Sequence, residues 1–202
     1  MNINELITAT NAEYMPLKLH SKSGANLTDE ESEKLFELGT KLELFKILKT
    51  TFMEEITKNA KVMKWFTDNG LVTFHNETAR DANDKEVTVS VCDQTIDERI
   101  AMLPDEFTHP IIEKMVKGHK ENVTIFQANS DSRLKKEQFE LDVLNGFLPK
   151  EATSEDFNAY LDEHYPNGFD PKMMGKVIGE VKAAFKRADG KVIADCVKKR
   201  LS

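Results

Sequence analysis

The sequence predicts a mainly α-helical protein in which a helical hairpin precedes a small C-terminal helical tail domain. Three observations support this fold class. Apolar residues recur at a period close to 3.6 through most of the chain, which indicates amphipathic helices. Residues 171–202 have the pattern of two helices joined at a capping residue. Residues 71–92 contain a period-two pattern instead, which predicts a small β-hairpin inserted in the N-terminal half.

The N-terminal half is expected to begin with a poorly structured segment, residues 1–26, in which a weak helical pattern gives way to polar loop residues. Residues 27–104 are predicted to be mostly helical. Thr28 and Glu31 have the spacing of a capping box at the start of this region, and we expect a break near Gly39. Its predicted buried face consists of Leu42, Phe45, Leu48, Phe52 and Ile56.

A β pattern follows the helical region, which Asn69 and Gly70 end. The valines at odd positions in residues 87–91 alternate with Thr and Ser, and residues 71–74 are the predicted partner strand. The polar residues between them form the predicted connection. A mobile surface loop is the alternative interpretation of residues 71–92.

Residues 105–149 are predicted to form a helical hairpin. Thr108 is the expected N-cap of its first helix, with Pro110 in the first turn, and Gly146 ends the second helix. The predicted apolar positions are Ile111, Met115 and Ile125 in the first helix and Leu134, Phe139, Leu141, Leu144 and Phe147 in the second.

Residues 150–202 are predicted to form the tail domain. Ser154 is the expected cap of its first helix, Asp170 caps a second helix that begins at Pro171, and Asp189 caps the last. The predicted buried positions are Met174, Ile178, Val181 and Phe185 in the second helix and Ile193, Val197 and Leu201 in the third. Cys196 is expected to be a small core residue.

Opposite this apolar stripe, the second tail helix carries a row of small residues, Gly175, Gly179 and Ala183. Residues 171–202 contain nine Lys or Arg against three Asp or Glu, so they carry +6 in a chain whose net charge is −7. A smooth helix face edged by cations suits close approach to a phosphate backbone. Small residues four apart also let two helices pack closely, and spacing alone favours that interpretation.

Two motifs in the tail carry a family resemblance. Residues 174–179 have the sequence MGKVIG, and residues 187–192 have the sequence RADGKV. These motifs resemble the tail-domain signature of the GatB/YqeY family. Further similarity lies upstream, at residues 117–126, 135–144 and 148–157. The resemblance covers about residues 105–202 and implies a helical hairpin followed by a tail domain of the GatB/YqeY type.

In the amidotransferase B subunit of that family, a tail of this kind contacts tRNA while other parts carry out the chemistry. The resemblance therefore implies tRNA as a partner, with an aminoacyl-tRNA synthetase or an amidotransferase as a further candidate. This chain departs from the family pattern because it lacks a proline in the middle of the helix and has Lys186 where a glycine is usual. We expect a straighter helix as a result. The resemblance gives no counterpart for the β-hairpin in the family, so we expect it to carry whatever is peculiar to this protein.

No catalytic or metal-binding pattern is evident. The histidines, at positions 20, 75, 109, 119 and 164, are not spaced as metal-ligand pairs, and there is no CxxC motif or P-loop. His119 lies between Lys117 and Lys120, which predicts a solvated helix face, and His75 is the one histidine whose substitution is of interest. We expect no cofactor, no metal ion and no catalytic residue.

Composition indicates the compartment and the class of partner. Two cysteines far apart in the sequence fit a reducing cytoplasm, and we expect no secretory signal and no association with membranes. Aromatic residues are almost absent among the basic tail residues, so stacking on single strands is not expected. Contact with the phosphates of a folded RNA fits better, and no DNA binding is expected.

Three functional hypotheses follow. The first is a non-catalytic, tRNA-binding accessory protein linked to aminoacyl-tRNA amidation or translation. Its predicted RNA-binding residues are Lys172, Gly175, Lys176, Gly179, Lys182, Lys186, Arg187 and Lys191. The second is a protein–protein adaptor that uses the small-residue row of the second tail helix. The third is a component of a glutamine-dependent carbon–nitrogen ligase, in which this chain would be an accessory.

Overall fold

The computed structural model describes residues 2–24, 26–185 and 187–201, and this part of the chain is mainly helical. Its helices are α1 Ile3–Lys22, α2 Asp29–Lys58, α3 Ala60–Asp68, α4 Ile96–Ala101, α5 Asp105–Ala128, α6 Leu134–Gly146, α7 Ser154–His164, α8 Met174–Ala184 and α9 Gly190–Lys198. Two strands, β1 Phe74–Arg80 and β2 Glu86–Cys92, pair antiparallel. The predicted fold class, mainly α with a small β-hairpin, is confirmed. The chain forms two compact units, Met1–Leu148 and Pro149–Ser202, the second of which we name the tail unit.

Helix α2 is the centre of the first unit, where it packs against α1, α3, α4 and α6. Thr28 accepts a hydrogen bond from the Glu31 backbone N–H at 3.1 Å, and the Glu31 carboxylate accepts one from the Thr28 N–H at 2.8 Å, so the predicted capping box is present. The predicted buried face is confirmed at all five positions, which are at most 5% exposed: Leu42, Phe45, Leu48, Phe52 and Ile56. The helix therefore follows from local capping and from its apolar period.

The N-terminal segment is helical, so the prediction that residues 1–26 are poorly structured is wrong. The Asn2 side chain caps α1 by accepting from the backbone N–H groups of Asn4 and Glu5, and Ile3 is fully buried. Helix α1 has only a weak apolar period of its own and packs against α2. Tertiary packing rather than local pattern stabilises it, which is why the sequence alone does not reveal it.

The predicted helix break near Gly39 is also wrong, because α2 continues through that residue. A Cβ atom at Gly39 would lie 3.4 Å from ring carbon Cε2 of Tyr14, so the glycine serves the close approach of α1. The interruption occurs instead at Asn59, whose backbone is extended and whose side chain accepts from the Lys61 N–H at 3.0 Å. Asn59 thus ends α2 and caps α3.

The β-hairpin is present, with its first strand later than predicted. Phe74 pairs with Cys92 and Arg80 pairs with Glu86. Asp81 forms the turn, since its carboxylate accepts from the backbone N–H groups of Asn83 and Lys85. Residues 71–72 lie in or against the helical core instead of in the strand.

The predicted helical hairpin is formed by α5 and α6, which pack against each other. Helix α5 begins at Asp105 rather than at the predicted cap, Thr108, which is buried within the first turn. Pro110 therefore lies in the second turn. The hairpin shares its core with the first four helices, so residues 27–104 and 105–148 are parts of one packed unit.

The tail unit has its own core. Helices α7 and α8 both pack against α9. The fully buried side chains of this core are those of Phe157, Leu161, Val177, Val181, Ile193 and Val197. Thr153, not the predicted Ser154, caps α7. Val177 joins Val181 at the centre of the buried face of α8, whereas the predicted Met174, Ile178 and Phe185 are only partly buried around it.

Candidate nucleic-acid interface

The entry into α8 is set by a proline and an aspartate. The Asp170 side chain accepts from the Lys172 backbone N–H at 2.8 Å, and Pro171 opens a single 3₁₀ turn that leads into α8. The predicted cap and the predicted position of the proline are confirmed. This turn leaves Lys172 exposed at the start of the helix.

The small-residue row, Gly175, Gly179 and Ala183, is exposed on the side of α8 away from the core. No heavy atom of the described residues lies within 4 Å of a Cβ atom built at Gly175 or Gly179. The row therefore does not serve packing among those residues. A helical glycine costs about 1 kcal/mol relative to alanine, so two open glycines are a loss of stability for which the described fold gives no compensating contact.

Lysines border this row. At about 100° per residue, Lys176 and Lys182 lie on its two sides, and both are exposed. Lys176 is 3.8 Å from the Glu180 carboxylate, measured from Nζ to Oε1. The Lys182 ammonium lies beside the first turn of α9, because its Nζ would be 3.4 Å from a Cβ atom at Gly190.

The first turn of α9 adds Lys191 to the same group. The Asp189 side chain accepts from the Lys191 N–H at 2.7 Å and from the Val192 N–H at 3.4 Å, so the predicted cap is present. Lys191 is exposed. We name the exposed surface of the row together with Lys172, Lys176, Lys182 and Lys191 the α8 basic face.

Arg187 has a different environment from these lysines. Its guanidinium donates to the Pro149 carbonyl at 2.7 Å, and its own carbonyl accepts from the Ala152 N–H at 2.9 Å. It is partly buried, and it joins the start of the tail unit to the connection between α8 and α9. The main observed role of Arg187 is therefore to hold these two segments of the tail unit together. Lys186, the remaining predicted contact, lies outside the described residues.

Charge within the tail unit is unevenly distributed. Residues 149–202 hold ten Lys or Arg and nine Asp or Glu, a net charge of only +1. The acidic residues concentrate in and around α7, whose Asp162 pairs with Arg200 at 2.5 Å. The lysines of α8 and α9 therefore form a local positive region in a nearly neutral unit.

His75, the histidine of most interest from the sequence, is a residue of β1 and lies between the carboxylates of Glu77 and Asp93. Its Nε2 is 2.7 Å from Glu77, and its Nδ1 forms a short hydrogen bond with Asp93. Both contacts, the one with Glu77 first, raise the pKa of His75 and favour the imidazolium. A ring with both nitrogens engaged in this way has no free lone pair to act as a base, so the site does not resemble a catalytic dyad.

One polar cluster is not predicted from the sequence: His119 meets Glu137 and Glu140 between α5 and α6. The predicted solvated position of His119 is wrong, because its side chain is only 17% exposed. His119 lies on α5, 18 positions before Glu137 and 21 before Glu140, which both lie on α6. Short metal-ligand spacings along the chain therefore do not reveal this cluster, which depends on the register between the two helices.

No helix in the described part of the chain combines the length and hydrophobicity that a membrane span requires. No curated protein matches the sequence. A family model described as "Yqey-like protein" matches residues 76–201, well over half of the chain. The match begins farther upstream than the motifs of the tail and includes most of the residues of the β-hairpin, so the expectation that this region has no counterpart in the family is wrong. The chain belongs to the Yqey-like protein family.

Proposed function

We propose that the tail unit binds structured RNA, with tRNA as the favoured class, through the α8 basic face, and that it does so without catalysing a reaction. The observation that carries this proposal is the open small-residue row bordered by exposed lysines. A phosphate strand can approach the backbone of α8 closely at Gly175 and Gly179, while Lys176 and Lys182 contact phosphates on either side.

The arrangement favours phosphate contact over base reading. The aromatic residues of the tail unit pack against one another, as in the edge-to-face pairs of Phe157 with Phe185 and Tyr165 with Phe169. None of the described residues of the α8 basic face is aromatic. Recognition would therefore depend on the shape of a folded RNA.

The choice of tRNA rests on the resemblance to the amidotransferase B subunit, whose tail contacts tRNA. An accessory role beside an aminoacyl-tRNA synthetase or an amidotransferase fits this choice. The described polar clusters offer no activated nucleophile with its base, which favours an accessory over an amide-forming enzyme.

A protein–protein adaptor is the second candidate, and the same open row favours it. Gly175, Gly179 and Ala183 would admit a partner helix at short distance. The two functions differ in what they require of the surface: RNA binding requires the lysines, whereas helix packing requires the small side chains.

A salt titration of fluorescent tRNA against the purified protein, followed by anisotropy, tests the first function. We expect log affinity to fall linearly with log salt, and Lys172→Glu/Lys182→Glu to lower the slope by roughly 0.7–0.9 for each phosphate that the variant no longer neutralises. The matched control is Lys61→Glu/Lys117→Glu, which changes the net charge equally at exposed sites on α3 and α5. Absence of binding at about 50 mM salt, or an equal loss of affinity in the control, would reject the α8 basic face as an RNA site.

A third variant separates the two functions. A Cβ atom at position 179 would have no heavy atom of the described residues within 4 Å, so the fold should tolerate Gly179→Leu. A protein partner that is captured by wild type and by the lysine-reversal variant, but not by Gly179→Leu, would favour a partner helix. Binding of tRNA lost in both variants would favour RNA that approaches the helix backbone.

A further inference from the structure

The interior of the helical hairpin contains two pairs of polar side chains that face each other. His119 and Asn122 lie three residues apart on α5, and Glu137 and Glu140 lie three residues apart on α6. Residues three apart share one face of a helix, so each pair points toward the other helix. The side chains of His119 and Glu137 are each 17% exposed, and that of Glu140 is 8% exposed.

The distances within this group suit coordination of one ion. His119 Nδ1 is 2.7 Å from Glu137 Oε2 and 3.7 Å from Glu140 Oε2, and the potential ligand atoms of these three residues all lie within 4.8 Å of one another. Ligand atoms about 2.0–2.2 Å from a tetrahedral metal ion are roughly 3.3–3.6 Å apart. Small side-chain rotations would therefore suffice, because two packed helices already hold the ligands together.

Glu140 provides an independent reason to expect a ligand. Its side chain is only 8% exposed, yet no hydrogen bond to its carboxylate is present among the described residues, and the basic nitrogen atoms that face it are 3.7 and 3.9 Å away. The nearer of these belongs to His119 and the other to Lys136. The Lys136 ammonium is directed instead to Glu43, at 2.7 Å. A carboxylate on a buried side chain is costly when it has no hydrogen bond, and a bound cation would remove that cost.

We propose that the helical hairpin binds a divalent transition-metal ion of the zinc type, with His119 Nδ1 and one oxygen each from Glu137 and Glu140 as ligands. One imidazole nitrogen and two carboxylates match the preference of Zn²⁺, and the two negative charges balance those of the ion. The ion takes the place of the proton between His119 and Glu137.

Asn122 completes the description of the site. Its amide nitrogen is 3.3 Å from Glu137 Oε2. Rotation of the amide by half a turn would direct its oxygen to the same position, and that oxygen or a water molecule would be the fourth ligand. The bound ion would cross-link α5 and α6, so its binding free energy would add to the stability of the first unit.

The experiment uses the full chain without a histidine tag, freed of metal with a chelator and titrated with ZnCl₂ by calorimetry. We expect one equivalent to bind and the melting temperature to rise with zinc concentration. Glu140→Gln and His119→Gln should each weaken binding by at least about tenfold. Visible absorption of Co²⁺ in the same site gives a second readout, which either variant should abolish.

His75→Gln is the matched control. His75 also lies between two carboxylates, but it contacts them through opposite ring nitrogens, so the three groups cannot chelate one ion. Zinc binding should persist in this variant. Melting curves in chelator show whether Glu140→Gln folds; if it does not, His119→Gln decides the question. The proposal is overturned if wild type binds no Zn²⁺, if binding survives in folded Glu140→Gln and His119→Gln, or if His75→Gln loses it equally.

Discussion

The hydroxyl group of Tyr165 donates a hydrogen bond to Glu180, whose other carboxylate oxygen faces Lys176 at 3.8 Å. Glu180 thus connects the end of α7 to the α8 basic face. The hydrogen bond to Glu180, more than burial, raises the pKa of Tyr165 to about 12. The carboxylate also competes with any phosphate for Lys176.

Replacing Glu180 with Gln should lower the pKa of Tyr165 toward the ordinary value of about 10. The folded protein holds the phenol proton more tightly than the unfolded chain does. This contribution to stability is therefore complete below about pH 10 and is lost as the pH rises through 12. Tyrosinate absorbance, with Tyr165→Phe as the reference for the two other tyrosines, measures the shift. An unchanged titration in Glu180→Gln would show that the hydrogen bond is not the cause.

The same substitution should strengthen RNA binding if the α8 basic face is the contact surface. Removing one negative charge beside Lys176 frees the ammonium for a phosphate, and an exposed pair of this kind is worth about 0.2–1 kcal/mol. We expect a gain of roughly two- to fivefold in affinity at low salt, measured by anisotropy. Glu163→Gln, an exposed charge removal on α7, is the control. An equal gain in the control would indicate a general charge effect instead.

The two open glycines of α8 should be unfavourable for stability and favourable for function. Gly175→Ala and Gly179→Ala should each stabilise the protein by roughly 0.5–1 kcal/mol, because alanine loses less backbone entropy and meets no described atom within 4 Å. RNA affinity should fall in both variants. Thermal melting and anisotropy are measured on the same samples.

Gly118→Ala on α5 provides the comparison for these substitutions, since that glycine is also within a helix and equally open. It should gain stability without a change in RNA affinity. Loss of stability at Gly175 or Gly179 would mean that the small-residue row is needed for the fold rather than for a partner.

Local signals in the sequence predicted the fold well where capping and apolar period decide it. The capping box of Thr28 and Glu31 is one example, and the Asp189 cap of α9 is another. Only a weak helical pattern is predicted where α1 lies, because the stability of this helix comes from contact with α2 rather than from a local pattern. Strand β1 begins later than predicted because the apolar side chain of Val72 is buried in the helical core and does not belong to a strand.

The candidate sites show the same division. The α8 basic face lies on one helix, so its small-residue row and flanking lysines could be recognised from spacing alone. Only the structure shows that this row packs against no other described residue. The hydrogen bond from Arg187 to the Pro149 carbonyl is likewise visible only in the structure. The cluster of His119 with Glu140 depends on the register between two helices, which spacing along one chain segment cannot supply.

The hydrogen bonds of His75 to Glu77 and Asp93 should be detectable as a raised pKa. Contacts with Glu77 and then with Asp93 stabilise the imidazolium, so its pKa should exceed the ordinary value of about 6.5. Their contribution to the hairpin is therefore complete below about pH 6.5 and is lost as the pH rises through the folded-state pKa. Proton NMR of the imidazole measures this pKa directly. Glu77→Gln should lower it, and a wild-type midpoint at or below 6.5 would contradict the geometry.

The importance of α2 as the central helix can be tested at two adjacent residues. Leu48 is fully buried in the core of the first unit, whereas Ile47, about 100° away around the helix, is 52% exposed. Leu48→Ala should lower the free energy of unfolding by about 2–5 kcal/mol, because it removes buried apolar volume and leaves a cavity. Ile47→Ala changes a similar volume at the surface, where alanine also has the higher helix propensity, and should cost less than about 1 kcal/mol. Denaturant unfolding followed by circular dichroism measures both. Similar losses in the two variants would mean that α2 is not packed as described, because the two side chains are similar in volume and differ mainly in burial.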